Sequence, residues 1–427
     1  MPARPSTKPS PAASPARRAA LALLEAVLDR RRPLEEALDA LPGGLAPRDR
    51  SAAHRIAATV LRRLGSLDAV LEPFLRRAPP EPVRHALRAG AAELLLLGTP
   101  PHAAVGSAVA VVPRPFAGLV NAVLRRVAEA GPAALEGLDA ERLDTPAWLW
   151  SSWHAAHGPA AVRAIAAAHR NEAPLDLTLA PGAAPPEGGN VLPTGTLRFP
   201  AGTRVTELPG FAEGGFWVQD AAAALPARLL GVRPGEVMAD LCAAPGGKTA
   251  QLAAAGGRVT AVERDGKRAA RLRANLSRLR LSAEVVEADA NVWNAGGDAR
   301  FDAVLLDAPC TATGTIRRHP DVPFLKQARD VAPLAAAQAA LMEAAARLLR
   351  PGGRLVFATC SLQAEEGEAQ LATAAALGLV PDAVRAEEVP GLEAAVTPAG
   401  ALRTRPDLWG ELGGMDGFFV ARYRARG

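Results

Sequence analysis

The feature that most constrains the fold is a change of hydrophobic pattern at about Phe216. Beyond it, short apolar runs alternate with helical stretches, and each run ends at a polar or otherwise special residue. The predicted strands are 237–242, 258–263, 283–287, 302–307 and 354–359, and the predicted helices are 248–255, 266–279, 331–349 and 365–376. This alternation predicts an α/β, doubly wound, Rossmann-like parallel sheet, which binds ligands at the carboxyl ends of its strands.

The region before that change, residues 16–135, has a helical pattern throughout. Its apolar residues recur at three- and four-residue spacing, and strand-like alternation is almost absent. We predict helices at 19–30, 33–41, 49–63, 66–75, 82–97, 103–111 and 117–130, which together form an all-α domain. Arginines recur along these helices, either as solvated helix faces or as an RNA-binding surface, and their spacing alone does not decide between the two. These arginines are Arg30, Arg31, Arg32, Arg48, Arg50, Arg55, Arg62, Arg63, Arg76, Arg77, Arg125 and Arg126.

Composition separates the rest of the chain into a tail, a middle segment and the α/β domain. Residues 1–15 are rich in Pro, Ala, Ser and basic residues, so we predict a disordered basic tail. Residues 136–215 are predicted to be a small α+β linker or RNA-positioning segment, with strands at 175–179 and 203–207 and a flexible loop at 181–195. Trp148, Trp150 and Trp153, near its start, are interpreted as core anchors rather than base-stacking platforms. The α/β domain then occupies 216–427.

Cysteine usage and hydropathy limit where such a chain works. Its 427 residues contain three cysteines, an odd number that is too small for a disulfide framework, which indicates a reducing compartment and therefore the cytoplasm. No apolar run approaches the roughly 18 to 20 residues that a membrane span needs. The seven histidines form no His/Cys cluster at ligand spacing, so no metal site is predicted. The net charge of +5, carried mostly by arginine, permits a nucleic-acid partner.

A glycine-rich turn follows the first predicted strand. That strand reaches Asp240 and continues through Pro245-Gly246-Gly247 into a helix, and glycines there let the backbone approach a ligand closely. The turn is neither the spaced glycine pattern of dinucleotide dehydrogenases nor a phosphate loop. Glu263, Asp289 and Asp307 lie at or just after the ends of later strands, where they suit a ligand with ribose, amine and base amino donors. These acids favour S-adenosylmethionine over a dinucleotide.

Two cysteines follow two of the predicted strands. Cys310 comes after Asp307-Ala308-Pro309, and Cys360 comes directly after Thr359. If those strands are neighbours in the sheet, both thiols lie at the same edge as the cofactor, which suggests covalent chemistry on a bound substrate. Alone, each cysteine would more often be a small buried hydrophobe. Cys242, inside the glycine-rich turn, is interpreted as a packing residue.

These stretches resemble the RNA (cytosine-5) methyltransferase family, and the resemblance covers the C-terminal half in order. The matching stretches are FWVQDAAA at Phe216, DLCAAPGGKT at Asp240, VTAVERD at Val259, LLDAPCTATGTIRRHPD at Leu305, FATCSLQAEEGE at Phe357 and MDGFFVAR at Met415. The N-terminal helices resemble the RNA-binding antitermination factor NusB, through stretches that begin at Pro47 and Ala117. A NusB-like domain ahead of the methyltransferase is the arrangement of the small-subunit ribosomal RNA branch of the family.

The resemblance implies roles for individual residues. Cys360 would be the nucleophile that adds to cytosine C6, Asp307 would contact the base near N3, and Cys310 would assist product release. Lys248 and the pair Arg317 and Arg318 are candidates to supply a positive field or to hold phosphates, and the two arginines could equally be exposed loop charges. The implied cofactor-binding residues are Cys242, Ala243, Ala244, Pro245, Gly246, Gly247, Lys248, Glu263, Asp289 and Asp307.

The predicted function is therefore S-adenosylmethionine-dependent methylation of cytosine C5 in small-subunit (16S) ribosomal RNA through a covalent adduct, with no membrane and no obligate protein partner. A transfer RNA cytosine-5 methyltransferase is an open alternative. A DNA cytosine methyltransferase would use Cys310 as the nucleophile. A non-catalytic RNA-binding assembly or antitermination factor would bind the cofactor without methyl transfer. A dehydrogenase is disfavoured by the glycine pattern.

Overall fold

The structure, a computed structural model, describes residues 14–297 and 300–426. Most of the predicted basic tail lies outside these residues. The chain divides into two compact units: a helical unit, Met1–Ser151 with His319–Lys326, and an α/β unit, Ser152–Arg318 with Gln327–Gly427. Within the described part of the chain, no helix has the length and apolarity needed to cross a membrane.

The seven helices predicted in the N-terminal region are confirmed, with ends that differ by a few residues. Several of them begin with proline at the first or second helical position, where its fixed φ suits the helix and its missing N–H has no partner to lose. The helices are α1 Pro15–Leu28, α2 Leu34–Asp39, α3 Pro47–Arg62, α4 Leu64–Leu71, α5 Glu81–Leu95, α6 Pro101–Ala110 and α7 Arg114–Ala130, followed by α8 Ala140–Leu143 and α9 Ala147–His169.

Small residues allow close packing inside the helical unit. A Cβ added at Gly90 in α5 would lie 2.5 Å from Leu124 Cδ1 in α7, so glycine is needed where these two helices meet. Leu23, Leu61 and Leu87 are fully buried in the same core. Burial of such leucines contributes roughly 1.5–3 kcal/mol each relative to exposure.

The α/β unit contains a small antiparallel sheet and a large mixed sheet. The small sheet has the order β2-β3-β1-β4, from β1 Leu175–Leu179, β2 Asn190–Val191, β3 Leu197–Phe199 and β4 Phe216–Val218. The strand predicted at 175–179 is confirmed, whereas the one predicted at 203–207 is wrong. There the Thr203 hydroxyl donates to Pro200 O at 2.8 Å and the chain forms a single turn of 3₁₀ helix, Val205–Glu207.

The large sheet confirms the predicted α/β, Rossmann-like architecture. Its order is β10-β12-β9-β8-β5-β6-β7, with β11 paired to β12. The five predicted strands pair in parallel, and β12 adds antiparallel to β9. Its strands are β5 Val237–Leu241, β6 Arg258–Glu263, β7 Glu284–Glu287, β8 Phe301–Asp307, β9 Leu349–Thr359, β10 Val380–Pro381, β11 Leu402–Arg403 and β12 Phe419–Arg424. The remaining helices are α10 Leu225–Leu230, α11 Gly247–Ala254, α12 Gly266–Leu279, α13 Val322–Leu325, α14 Val331–Leu348 and α15 Gln370–Ala376.

The units differ from the predicted domains in three places, and in one of them residues 152–215 of the predicted linker segment belong to the α/β unit. The helical unit continues past residue 135 to Ser151, and it includes His319–Lys326 from the region assigned by pattern to 216–427. Asp321 Oδ2 in that segment accepts a hydrogen bond from Leu34 N at 2.8 Å. Phe324 and Leu325 pack against the helical core. The apolar side chains of α13 therefore join a core that is distant in sequence.

Of the three tryptophans interpreted as core anchors, Trp153 is fully buried, which confirms that interpretation for this residue. Its ring lies 5.3 Å from that of His169, centroid to centroid. Burial, with a contribution from the charge of Arg317, lowers the pKa of His169 to about 3, so the imidazole is neutral. Trp148 and Trp150 are half-buried.

Candidate active site

The chain reverses its strand order between β5 and β8, and the site is built at the carboxyl ends of these strands. Leu241 of β5 is in register with Leu306 of β8, and Asp307 of β8 is in register with Ala358 of β9. The turns that follow the three strands therefore emerge side by side. Such a switch point is where doubly wound sheets bind their ligands.

The glycine-rich turn after β5 is tightly packed. Cys242 has φ 61° and Gly246 has φ 103°, and a Cβ added at Gly246 would lie 2.3 Å from Leu272 Cδ1 in α12. Glycine is thus required for both the backbone conformation and the close approach. Beneath the turn, Asp240 Oδ2 accepts a hydrogen bond from Thr249 Oγ1 at 2.5 Å. Burial raises the pKa of Asp240 to about 7.

Two of the predicted cofactor acids line the next strand ends. Glu263 is buried at the end of β6 and accepts a hydrogen bond from Asp265 N at 3.0 Å. A longer contact of 3.4 Å joins its other oxygen to Ala244 N in the glycine-rich turn. After β7, Asp289 Oδ1 accepts hydrogen bonds from the backbone and side-chain nitrogens of Asn291, both at 2.9 Å, and the backbone bond is the main cause that lowers the pKa of Asp289.

The third acid is paired with a lysine from the glycine-rich turn. Lys248 Nζ donates to Asp307 Oδ2 at 2.7 Å and lies 5.2 Å from the centroid of the Phe418 ring. Burial is the largest single effect on Lys248 and opposes its charge, but Asp307, Cys360 and Asp240 together outweigh burial, and the pKa of Lys248 is raised. The thiol of Cys360 is close enough to act on Lys248 in the same direction. The structure thus brings Lys248, Asp307 and Cys360 together.

The two cysteines singled out from the sequence meet across β8 and β9. Their sulfur atoms, Cys310 Sγ and Cys360 Sγ, are 3.5 Å apart, and all three cysteines of the chain are free. Gly314 N donates to Cys360 O at 2.9 Å, which ties the two loops together. The hydrogen bond with Cys360, burial and the charge of Glu366 raise the pKa of Cys310 well above its ordinary value.

Cys242 differs from this pair. It is packed against the core of the large sheet. Burial, with contributions from the neighbouring acids, raises the pKa of Cys242 to about 12, so it is a thiol at neutral pH. This environment agrees with its interpretation as a packing residue of the turn.

Arg317 and Arg318 are neither exposed loop charges nor available phosphate ligands. Arg317 is 2 % exposed, and its guanidinium contacts Asp220 Oδ2 at 2.5 Å and Asp416 Oδ1 at 2.8 Å. Arg318 Nη2 contacts the same Asp220 oxygen at 2.6 Å. Both guanidiniums are committed to a buried ion-pair network within the α/β unit. The acids that neutralise the two arginines are about a hundred residues away along the chain. The sequence around the arginines therefore gives no sign of these ion pairs.

Sequence reasoning missed a buried carboxylate beneath the cysteine loops. Glu366 is fully buried and receives hydrogen bonds from Thr311, Ser361 and Gln338. In the sequence it stands beside Glu365, which is exposed, and nothing in a run of two glutamates distinguishes them.

One group of side chains in the described chain has metal-ligand spacing: Asp29, Glu81 and His85 of the helical unit. His85 Nδ1 lies 3.3 Å from Arg88 Nη1, and a guanidinium only donates, so Nδ1 is the acceptor. His85 Nε2 then carries the proton and donates to Asp29 Oδ2 at 3.1 Å. This arrangement is a histidine–aspartate hydrogen bond.

Comparison with known proteins agrees with both units. The family described as 16S rRNA methyltransferase RsmB/F matches residues 227–424, and the NusB family matches residues 14–129. Ribosomal RNA small subunit methyltransferase B of Sodalis glossinidius is 36% identical over 430 residues, which cover 93% of this chain and 94% of the relative. The protein of the same name from Xanthomonas campestris pv. campestris is 39% identical over 383 residues, covering 83% and 86%.

A solved methyltransferase homologue from Pyrococcus horikoshii is 26% identical, with a TM-score of 0.54, and covers 64% of this chain and 93% of its own. The fold of this homologue agrees with the α/β architecture. The relatives that match over most of the chain align with both units. The chain belongs to the RsmB/F family of 16S ribosomal RNA methyltransferases.

Proposed function

We propose that this protein methylates C5 of a cytosine in 16S ribosomal RNA through a covalent bond between Cys360 and cytosine C6. The observation that carries the proposal is the 3.5 Å contact between Cys310 Sγ and Cys360 Sγ, beside the Lys248–Asp307 pair at the carboxyl edge of the sheet. The names of the full-length relatives support ribosomal RNA as the substrate class.

The cofactor of this enzyme is S-adenosylmethionine, and the residues at the switch point fit it. The glycine-rich turn, residues 242–248, follows β5 at the switch point, and Gly246, with φ 103°, packs it closely against Leu272 of α12. Glu263 and Asp289 keep carboxylate lone pairs beyond their present hydrogen bonds, which suits hydroxyl and amino donors. We propose that these residues and Asp307 hold the cofactor. When bound, it supplies the methyl group that cytosine C5 receives.

Cytosine C5 is a poor nucleophile, so its electron density must first be raised. The thiolate of Cys360 adds to C6 and forms the S–C6 bond, while Asp307 contacts the base near N3 and stabilises the charge that develops there. After methylation, the C5 proton is lost to solvent, the electrons of the C5–H bond restore the C5–C6 double bond, and the Cys360 sulfur leaves as a thiolate; Cys310 assists this release. The target base must be unstacked or single-stranded to reach these groups.

We also propose that the helical unit binds RNA. The clusters Arg30–Arg32 and Arg76–Arg77 are exposed, and the unit matches the NusB family. Arg30 is already paired with Glu25, and the other exposed arginines suit phosphate contacts because the guanidinium fork matches the geometry of anionic oxygens. The segment 136–215, which includes the small sheet from β1 to β3, is proposed to help position the RNA.

The test compares wild type, Cys310→Ala and Cys360→Ala with unmodified small-subunit RNA and labelled S-adenosylmethionine. We expect a denaturation-resistant protein–RNA adduct to accumulate in Cys310→Ala and to be absent in Cys360→Ala. Small-subunit RNA that is already methylated is the control, because it offers no free C5 position.

Other outcomes would favour the alternatives. Adduct in Cys360→Ala but not in Cys310→Ala would move the nucleophile to Cys310, as in DNA methyltransferases. Methyl transfer to transfer RNA in place of ribosomal RNA would identify the transfer RNA enzyme. Cofactor binding with no transfer to any RNA would favour an assembly factor.

A further inference from the structure

One buried carboxylate contacts the neighbours of both active-site cysteines. Glu366 Oε1 accepts from Thr311 N at 2.9 Å and from Gln338 Nε2 at 3.1 Å. Glu366 Oε2 accepts from Ser361 Oγ at 2.5 Å and from the hydroxyl of Thr311. Thr311 directly follows Cys310 and Ser361 directly follows Cys360. Glu366 therefore joins the two loops at the residues next to the sulfur atoms.

The hydrogen-bond partners of Glu366 are all uncharged. It is 0 % exposed, and none of the hydrogen bonds that the described residues give its carboxylate comes from a lysine, arginine or histidine. A buried carboxylate without a cation is destabilising relative to a neutral group that makes the same bonds. Tying two loops together needs only hydrogen bonds, so the charge of Glu366 points to a second role.

Charges of opposite sign act on the two cysteines. The negative Glu366 acts on Cys310, whereas the positive Lys248 lies near Cys360. The sulfur atoms are in hydrogen-bonding contact, so a protonated Cys310 can donate a hydrogen bond to the Cys360 sulfur. The negative charge of Glu366 favours the proton on Cys310.

We infer that Glu366 is a positioning residue that holds Cys310 against Cys360 and keeps the Cys310 sulfur protonated, which leaves Cys360 as the sulfur that attacks the base. The inference deepens the proposed function, on which its catalytic meaning rests. Cys310 keeps its S–H and donates a hydrogen bond from it to the Cys360 sulfur. The proton of Cys360 leaves to solvent when that sulfur reacts. No oxidant or reductant is involved.

The test variant is Glu366→Gln, which removes the charge and keeps the shape. The glutamine oxygen can accept the bonds that Oε1 now accepts, and its amide can donate to the hydroxyls of Thr311 and Ser361, which can rotate to accept. Glu365→Gln is the matched control, because it makes the same charge change one residue away at an exposed side chain. Thermal unfolding establishes that each variant is folded.

The measurement is the alkylation rate of each cysteine by iodoacetamide in the full-length protein, without RNA or cofactor, mapped by mass spectrometry. Only a thiolate reacts appreciably, so the rates report which sulfur is charged. We expect Cys360 to react faster than Cys310 in wild type and in Glu365→Gln. In Glu366→Gln the ratio of the Cys310 rate to the Cys360 rate should rise roughly tenfold, the effect of one pKa unit.

A folded Glu366→Gln protein with the wild-type ratio would overturn the inference. If Glu366→Gln fails to fold, the wild-type protein provides the second route, because the inference requires Cys310 to be alkylated much more slowly than Cys360 at neutral pH. A Cys310 rate equal to or above the Cys360 rate would then overturn it.

Methylation assays separate this inference from the proposed function. Glu366→Gln should lower kcat with little change in the KM for RNA, since the residue contacts the cysteine loops and not the substrate. If wild type methylates 16S RNA and the alkylation ratio does not respond, only the role of Glu366 fails. If the ratio responds and wild type transfers no methyl group to RNA, the proposed function fails and the proton assignment stands.

Discussion

The arginine clusters of the helical unit differ from the arginines around the site of the α/β unit. In the helical unit, Arg31 and Arg76 are exposed to solvent. In the α/β unit, Arg198, Arg317 and Arg403 are buried and paired with acids. An exposed arginine is available to a polyanion, whereas a buried pair holds elements of the fold together. The same side chain therefore suits RNA contact in one unit and the support of a rigid site in the other.

Buried charge in the α/β unit is concentrated around the loops of the site. Asp240 lies beneath the glycine-rich turn, Glu366 beneath the two cysteine loops, and Arg317 in the segment that follows Cys310. Glu366 and Arg317 are held by hydrogen bonds to several elements, and Asp240 accepts one from Thr249 in α11, which helps to fix the backbone that carries the functional groups. The variants below separate chemistry, support and binding between the two units.

The largest expected effect concerns chemistry in the α/β unit. Cys360→Ala should reduce methyl incorporation into 16S RNA by at least about 10³-fold, because no other group replaces the nucleophile. Thermal unfolding should be nearly unchanged, since Cys360 is only half-buried. Filter binding should show that the variant still binds RNA. A fully active Cys360→Ala protein would contradict the mechanism.

The second prediction concerns the contribution of a buried arginine to the stability of the α/β unit. Arg317→Met leaves Asp220 and Asp416 with less compensation, so we expect the free energy of unfolding to fall by about 3–5 kcal/mol. Arg76→Met, at an exposed site in the helical unit, should change it by less than about 0.5 kcal/mol. Urea denaturation measures both. Equal effects would remove the distinction between the two kinds of arginine.

The pH dependence of stability should come in part from Asp240. Burial raises its pKa to about 7 in the folded protein, above the unfolded value, so the folded state binds the extra proton. The resulting stability is complete below the unfolded pKa and is lost as pH rises through about 7. Asp240→Asn should reduce this loss by on the order of 2 kcal/mol, measured by urea unfolding at pH 5 and pH 8.

Asp289→Asn is the control of opposite sign. The pKa of Asp289 is lowered, so its stabilisation is present above the unfolded pKa and is lost as pH falls. Asp289→Asn should therefore leave the decline in the free energy of unfolding between pH 5 and pH 8 unchanged. If Asp240→Asn has the same pH profile as wild type, the carboxyl of Asp240 does not titrate in this range.

The smallest expected effect is on RNA binding by the helical unit. Replacing Arg76 and Arg77 with glutamine should weaken binding to 16S RNA by about 1 kcal/mol and make the salt dependence of Kd shallower, because fewer counterions are released. Fluorescence anisotropy at several salt concentrations measures both. Arg385→Gln, an exposed arginine of the α/β unit, is the matched control. An unchanged salt slope would place the RNA contacts elsewhere.

Local sequence pattern was sufficient for most of the fold and for the expectation that two cysteines meet at one edge of the sheet. The apolar runs of β6 and α12 have the same limits in the structure as in the prediction, because strand and helix periodicities are local properties. Cys310 and Cys360 meet as expected, because parallel strands bring their carboxyl ends to one edge. The roles of these residues in catalysis remain predictions that the adduct experiment tests.

Only the tertiary structure decided which buried charges support the site and where one segment belongs. Arg317 and Asp220 are 97 residues apart, and Leu34 and Asp321 are 287 apart, so neither contact follows from local spacing. Glu366 is buried and Glu365 is exposed, although they are adjacent and chemically identical. The sequence by itself determined the periodicities and the strand-end residues, whereas long-range packing determined which charges lost their contact with water.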